Sequence, residues 1–175
     1  MTPMAPAHLV PFDRHSPHLD AISALCERVW GGAGATAQVA RHATYPGFKG
    51  IVALTPGGEV AGYVYGATAL AGQWWTEQIA PLLGPERTAR LLIGSFAVIE
   101  LAVAPEHRRH GLARQLMQAV LADLPQPQAT LSTECDNTAA RALYERLGFT
   151  YLIERMSFTP AGVPYVVMHR WLPLR

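Results

Sequence analysis

The stretch from Val98 to Leu121 constrains the fold of this chain more than any other segment. It reads VIELAVAPEHRRHGLARQLMQAVL, which is an apolar strand, a basic turn and an amphipathic helix in immediate succession. Gly111 and Ala113 stand two positions apart where the helix should begin, so little side chain shields the backbone N–H groups there. A helix N-terminus offers unsatisfied donors and a partial positive charge. The segment therefore predicts a cradle for a phosphate or pyrophosphate group.

Positive charge is concentrated in this turn and is not spread over the chain. Residues 106–114 hold three arginines against one glutamate, whereas the whole chain has a net charge of only +1. Proteins that bind nucleic acids or membrane surfaces through charge use a broad basic face. We therefore expect neither a nucleic acid nor a membrane among the partners.

Length and composition predict one domain spanning residues 1–175. Charged residues make up 15% of the chain, against roughly 25% in an average soluble domain. The core must therefore be large, or a partner must cover part of the surface, which leaves a homodimer open. The first twelve residues carry no secretion signal, and the longest uncharged stretch, 60–76, is too short and polar to span a bilayer. With two widely separated cysteines, these features predict a cytoplasmic protein with reduced thiols.

The periodicity of apolar residues predicts alternating helices and strands. The predicted helices cover 20–30, 37–43, two segments within 71–96, a helix opening at Leu112, and 138–147. The predicted strands cover 51–54, 60–67, 97–103, 129–135, 149–158 and 163–171. Asn137 is placed to cap the helix at 138–147, and Gly148 to end it in a left-handed conformation. The pattern predicts an α/β protein.

Two motifs lie in the C-terminal half of the chain. The pattern Arg/Gln-x-x-Gly-x-Gly/Ala is met by Arg108, Gly111 and Ala113. The pattern Asn-x-x-Ala-x-x-x-Tyr-x-x-x-Gly-Phe is met by Asn137, Ala140, Tyr144, Gly148 and Phe149. With these motifs the chain resembles the GNAT superfamily of acyl-CoA-dependent N-acetyltransferases. The segment 71–96 is not part of the core that the family shares and is interpreted as an insertion.

The resemblance implies a fold and an activity. The fold would be a GNAT-like single α/β domain, in which helices flank a mixed, mostly antiparallel central sheet. The activity would be direct transfer of the acetyl group of acetyl-CoA to a primary amine on a small molecule or a protein N-terminus, without a metal. Two alternatives remain open, which are an enzyme that uses another acyl-CoA and a non-catalytic sensor that binds acyl-CoA without turnover.

The resemblance also implies which residues bind the acyl donor. The edge formed by Leu101, Ala102 and Val103, splayed from the strand at 130–135, would pair with the pantetheine arm, and its backbone could polarise the thioester carbonyl. Asn137 and Arg141 would contact the arm, although Asn137 can also serve only as a helix cap. The residues expected to hold the pyrophosphate are Arg108, Arg109, His110, Gly111, Leu112, Ala113 and Arg114.

Acyl transfer to an amine requires a proton acceptor, because a free alkylamine has a pKa of roughly 10.4. Glu100 is the first candidate base, since it interrupts an apolar strand and burial tends to raise the pKa of a carboxyl group. Glu134 is the second candidate. Glu100 can equally be a structural partner of an arginine. Tyr144 matches the family's tyrosine that protonates the leaving thiolate, although a tyrosine on an apolar helix stripe can be only core.

Two further features admit both a structural and a functional interpretation. His107 and His110 have the spacing of metal ligands, but no third ligand is close in sequence, so a place in the phosphate turn is the simpler explanation. Trp74 and Trp75 fit either the core or an interface, or else a pocket for the acceptor. Because adjacent residues on a helix diverge by about 100°, at most one of the two should be fully buried.

Overall fold

The computed structural model describes residues 7–31 and 35–173. Residues 1–6, on which the expectation about targeting signals partly rests, lie outside the described residues. The contacts divide the chain into two compact units, one made of residues 1–67 and 98–123 and the other of residues 68–97 and 124–175. We describe each unit by itself.

The first unit contains the hairpin, the basic turn and three helices. Its elements are β1 (His8–Phe12), α1 (Leu19–Trp30), α2 (Ala35–His42), β2 (Lys49–Leu54), β3 (Val60–Thr68), most of β4 (Phe96–Val103), a 3-10 turn (Pro105–His107) and α5 (Leu112–Leu121). Strand β2 pairs antiparallel with β3, which confirms the predicted hairpin. Strand β1, which the sequence pattern did not predict, pairs antiparallel with β2.

The core of the first unit lies where α1 and α2 pack with the strands. It combines aliphatic side chains of the helices with aromatic side chains of β3, and Tyr63 and Tyr65 are fully buried in it. Helix α5 buries one apolar stripe, as its period predicts. The buried residues of that stripe are Leu112, Leu116, Met117, Val120 and Leu121. The helix ends at Leu121.

The second unit contains the remaining elements. They are α3 (Trp74–Leu83), α4 (Pro85–Arg87) continuing as a π-helical turn (Thr88–Leu92), the start of β4, β5 (Gln128–Glu134), α6 (Thr138–Arg146), β6 (Thr150–Met156) and β7 (Tyr165–Trp171). The first residues of β4 pair in parallel with β5, with Phe96 opposite Ala129. Strands β5 and β6 both pair antiparallel with β7.

Helix α6 begins at Thr138 as predicted and ends at Arg146, one residue before the predicted end. The Asn137 side chain accepts a hydrogen bond from the backbone N–H of Ala140 at 3.1 Å, so it caps the helix. Gly148 has a φ of +84°, the left-handed conformation that follows many helix ends and that glycine adopts without strain. The predicted cap and the predicted left-handed glycine are both confirmed.

The strands are ordered β1-β2-β3-β4-β5-β7-β6 in a mixed, mostly antiparallel sheet flanked by helices, which confirms the predicted fold class. The two helices predicted within 71–96 are present. That this segment is an insertion, and that residues 1–175 form a single domain, stay predictions. No helix in residues 7–31 and 35–173 is long and apolar enough to cross a membrane.

Candidate functional site

The basic turn of the first unit bends through two left-handed residues. Arg109 has a φ of +64°, and Gly111 has a φ of +78° immediately before α5 begins. Positive φ is uncommon for a residue other than glycine, and residues with positive φ occur typically in tight turns. A carbon atom added to Gly111 would meet no atom within 4 Å. The backbone at the start of α5 is therefore open, as a phosphate ligand requires.

Side chains anchor this turn from both sides. Arg108 is exposed, and its Nε donates to the carbonyl oxygen of Val103, the last residue of β4, at 3.0 Å. Arg28 of α1 reaches both carboxylate oxygens of Glu106 with one nitrogen, at 2.9 and 3.0 Å. The buried side chain of Leu112 holds the first turn of α5 on the core.

Two further arginines of the turn place their positive charge at the protein surface. Arg109, His110 and Arg114 are exposed, and Ala113 is partly buried. A turn that is held by these contacts and carries exposed arginines is suited to an anionic ligand. The first unit thus brings together all seven residues that the sequence analysis assigned to the pyrophosphate.

Strand β4 leads into this turn and carries the predicted edge residues. Ala102 is buried, and Leu101 and Val103 are partly buried. Glu100 precedes them and is also only partly buried. The strand, the candidate base and the basic turn are therefore consecutive parts of one compact unit.

Three uncharged donors surround the carboxylate of Glu100. The Cys26 thiol donates to Oε1 at 2.9 Å, and the Tyr63 hydroxyl donates to the same oxygen. The Tyr65 hydroxyl donates to Oε2 at 2.7 Å. Glu100 is thus held by a thiol and two phenols, and not by the arginine that the sequence analysis considered.

The donors around Glu100 keep their protons at neutral pH. Burial, followed by the hydrogen bond to Glu100, raises the pKa of Cys26 to about 11. Burial and the Glu100 charge raise the pKa of Tyr63 and of Tyr65 above the ordinary value of a phenol. All three groups donate to Glu100, so its carboxylate is the acceptor of each of these hydrogen bonds.

The hydrogen bonds continue from Tyr65 to the end of α2. Nδ1 of His42 lies 3.1 Å from the Tyr65 hydroxyl oxygen. The His42 ring is partly buried and packs beside the rings of Tyr45 and Tyr65. Burial, with the neighbouring Arg41 charge, lowers the pKa of His42, and the Glu100 charge opposes that shift.

In the second unit Tyr144 is buried, with 7% of its surface exposed. It lies on α6, and its ring meets the ring of Phe149 edge-on at 6.0 Å between centroids. Burial raises its pKa to about 12. The hydroxyl is therefore protonated at neutral pH, as a proton donor must be.

Arg141 and Asn137 are both engaged within the second unit. The Arg141 guanidinium donates to the carbonyl oxygen of Cys135 at 2.7 Å and to the Tyr151 hydroxyl at 3.1 Å. It also lies 5.4 Å from the centre of the Tyr151 ring. Arg141 therefore ties α6 to the end of β5 and to β6, and the cofactor contact expected of it stays a prediction, as does that of Asn137.

The two tryptophans differ as their helical spacing predicts, and neither is fully buried. Trp75 is partly buried against an apolar cluster, and its indole N–H donates to the Ser132 hydroxyl at 3.0 Å. Trp74 is 61% exposed. Its ring stands 5.5 Å from that of Phe158, which in turn stands 4.9 Å from that of Tyr165.

Glu134 adds a carboxylate beside these aromatic rings. The Tyr165 hydroxyl donates to Oε1 of Glu134 at 3.4 Å, and Glu134 is partly buried. We call Trp74, Phe158, Tyr165 and Glu134 the aromatic patch. Aromatic faces beside a carboxylate suit a cationic or apolar group.

Some of these residues were not found from the sequence. Tyr63 and Tyr65 are two positions apart on β3, so both side chains point to the same face of the sheet. Two hydroxyl groups on one face could have indicated a polar side chain on a neighbouring strand. Cys26 and His42 carry no local signal. Among the described residues, no group of three or more His, Cys, Asp or Glu side chains could hold a metal ion, and this includes the surroundings of His107 and His110.

Comparison with known proteins relates the chain to acetyltransferases. The model of the acetyltransferase (GNAT) family matches residues 20–149. A GCN5-like protein acetyltransferase of Mycobacterium tuberculosis is 35% identical in an alignment 124 residues long, which covers 65% of this chain and 59% of the relative. The match thus spans under two thirds of the relative's length.

Solved structures share the fold at low sequence identity. NAA60 of Arabidopsis thaliana, in complex with acetyl-CoA, aligns with a TM-score of 0.69 at 15% identity, covering 94% of this chain and 98% of that one. An aminoglycoside 6'-N-acetyltransferase complexed with coenzyme A aligns with a TM-score of 0.68 at 15% identity, covering 96% and 98%. These structures show a shared fold, and the family model, which matches more than half of the chain, shows that the chain belongs to the acetyltransferase (GNAT) family.

Proposed function

We propose that this protein transfers the acetyl group of acetyl-CoA directly to a primary amine on a small molecule or a protein N-terminus. The observation that carries the proposal is the open turn at Arg109 and Gly111, which presents the N-terminus of α5 among exposed arginines. Those donors fit a pyrophosphate. The relatives that bind acetyl-CoA or coenzyme A support the choice of donor.

The roles of the remaining residues follow from their chemistry. The backbone of Leu101–Val103 is proposed to pair with the pantetheine arm and to polarise the thioester carbonyl. Glu100 would accept a proton from the amine, because its carboxylate is partly exposed and Tyr65 is the one donor that contacts its Oε2 among the described residues. Tyr144 would donate its proton to the thiolate that leaves, since burial keeps its hydroxyl protonated.

Release of free coenzyme A tests the proposal. The purified protein is mixed with acetyl-CoA and with amines of different classes, including aminoglycosides, amino acids and peptides with a free N-terminus. We expect coenzyme A to appear only with an acceptor amine. If the protein binds acetyl-CoA tightly but releases no coenzyme A with any amine, it is an acyl-CoA sensor. If coenzyme A is released faster from a longer acyl-CoA than from acetyl-CoA, the longer acyl-CoA is the donor.

The open backbone at Gly111 should set the affinity for acetyl-CoA. Gly111→Val is expected to raise the Kd of acetyl-CoA roughly 10- to 100-fold, the effect of losing one charge-assisted hydrogen bond. Valine disfavours the left-handed φ of +78° and places a branched side chain where the phosphate would approach. Isothermal titration with acetyl-CoA measures the change.

Gly58→Val provides the matched control. Gly58 has a φ of +84° and equally open surroundings, but it lies in the exposed turn of the hairpin. It should suffer comparable backbone strain and keep the parent's Kd for acetyl-CoA. Equal Kd values for the folded Gly111 variant and the parent would contradict the assignment of this turn to the pyrophosphate.

Arg108→Glu should also raise the Kd of acetyl-CoA, because it replaces a positive charge in the turn with a negative one.

The aromatic patch is proposed to contact the acceptor. Trp74→Ala should raise the acceptor KM by about 2- to 30-fold, the range of one cation–π contact. The KM for acetyl-CoA should change little, because the patch is proposed to contact the acceptor. The melting temperature should also change little, because Trp74 is 61% exposed. Steady-state kinetics with each substrate varied in turn separate the two KM values.

Trp75→Ala serves as the comparison. Its partly buried ring packs on an apolar cluster, so its removal should cost on the order of 2 to 4 kcal/mol of unfolding free energy. Denaturant titration measures this loss. If Trp74→Ala leaves every kinetic constant unchanged, the patch does not contact the acceptor.

A further inference from the structure

Two donors from different elements converge on one oxygen of Glu100. The Cys26 thiol on α1 donates to Oε1 at 2.9 Å, and the Tyr63 hydroxyl on β3 donates to the same atom. Cys26 has 7% of its surface exposed, and Tyr63 is fully buried. All three residues belong to the first unit. Oε1 of Glu100 is therefore held by groups of the core.

The two oxygens of Glu100 differ in how many of their acceptor positions are filled. A carboxylate oxygen offers about two such positions. Cys26 and Tyr63 fill both positions on Oε1, whereas Tyr65 is the one donor to Oε2 among the described residues. Within the described part of the chain, a proton can thus bind to Oε2 without displacing a donor. It cannot bind to Oε1 unless Cys26 or Tyr63 moves.

We propose that Cys26 and Tyr63 are positioning residues that fix the Glu100 carboxylate so that Oε2 takes the proton of the acceptor ammonium, an inference that rests on the proposed function. One N–H bond of the ammonium breaks and one O–H bond forms at Oε2. Oε1 becomes the carbonyl oxygen of the acid and still accepts from both donors. Oε2 then loses the proton to water, so Glu100 returns to its starting state and nothing is oxidised or reduced.

Packing holds both donors in place. Cys26 lies one helical turn after Ile22, and both are buried on the same face of α1. The Tyr63 ring stacks with the ring of Tyr65 at 6.2 Å between centroids. A catalytic group keeps its geometry when the residues that hold it are themselves fixed by packing. Loss of either donor should therefore let the Glu100 carboxylate rotate away from its reactive position.

A pair of substitutions of equal size tests the role of Cys26. Cys26→Ala is expected to lower kcat about tenfold, within the loss that a misplaced catalytic group causes, and to leave the KM for acetyl-CoA unchanged. Cys26→Ser should recover most of that loss, because serine is nearly as small as alanine but can donate to Oε1. If Cys26 only filled the core, the two variants would be equally slow. Equal kcat values for the two folded variants would thus overturn the proposal.

Tyr63→Phe tests the second donor and does not depend on the folding of the Cys26 variants. It keeps the ring in the core and removes only the hydroxyl, so kcat should again fall about tenfold at an unchanged KM for acetyl-CoA. Ser23→Ala is the matched control on α1, because Ser23 is also buried but donates to the carbonyl oxygen of Leu19 at 2.7 Å. This control should keep the kcat of the parent. Parental kcat in Tyr63→Phe would contradict the proposal.

The S–H stretching band of Cys26 gives a readout that does not depend on turnover. This band lies in a region of the infrared spectrum where other protein groups do not absorb, and hydrogen bonding of the thiol lowers its frequency. Cys135→Ser removes the other thiol of the chain and so assigns the band. Glu100→Gln should raise the frequency, because a neutral amide oxygen is a weaker acceptor than a carboxylate. An unchanged band would refute the positioning role, whereas a parent that turns over no amine would refute the proposed function instead.

Discussion

Glu100→Gln is expected to lower kcat by roughly 100- to 10⁴-fold, the range for loss of a general base. Glutamine is nearly the same size but cannot accept the proton of the amine. The parent should show activity that falls at acidic pH as its base becomes protonated, and the variant should lack that acidic limb. Rate measurements across pH 5 to 9 with a good acceptor give both results.

Stability must be measured alongside this variant. The glutamine amide cannot accept from all three donors that point at Glu100, so about 1 to 3 kcal/mol of unfolding free energy should be lost. Glu59→Gln, in the exposed hairpin turn, is the matched control and should behave as the parent. A retained acidic limb with normal kcat would move the base to Glu134, the second candidate, or to a chain of water molecules.

Tyr144→Phe should lower kcat by roughly 10- to 10⁴-fold while stability changes little. The substitution keeps the ring that packs on Phe149 and removes only the hydroxyl that would protonate the thiolate. Because burial raises the pKa of Tyr144 to about 12, the hydroxyl stays protonated from pH 6 to 9. The loss should therefore be the same at every pH in that range.

Single-turnover kinetics with acetyl-CoA and a saturating acceptor isolate the chemical step for this variant. Thermal unfolding checks that its core is intact. An unchanged single-turnover rate would contradict the assignment and would leave Tyr144 as a core residue of α6.

Local sequence predicted those elements whose stability comes from nearby residues. The apolar stripe of α5, the cap at Asn137 and the left-handed Gly148 depend on spacing within one or two helical turns, and all three are confirmed. Strand β1 was missed because its five residues, which include Pro11, have no marked alternation. It is a strand because it pairs with β2, some forty residues further along the chain.

The sequence by itself determined the family, the fold class and the basic turn, because motifs and periodicity are local properties. Only the tertiary structure decided what surrounds Glu100. Cys26, Tyr63 and Tyr65 lie 74, 37 and 35 positions away from it in the chain and meet it through the packing of α1, β3 and β4. Hydrogen bonds between residues so far apart depend on how helices and strands pack, and neither spacing nor residue type within one segment encodes that packing.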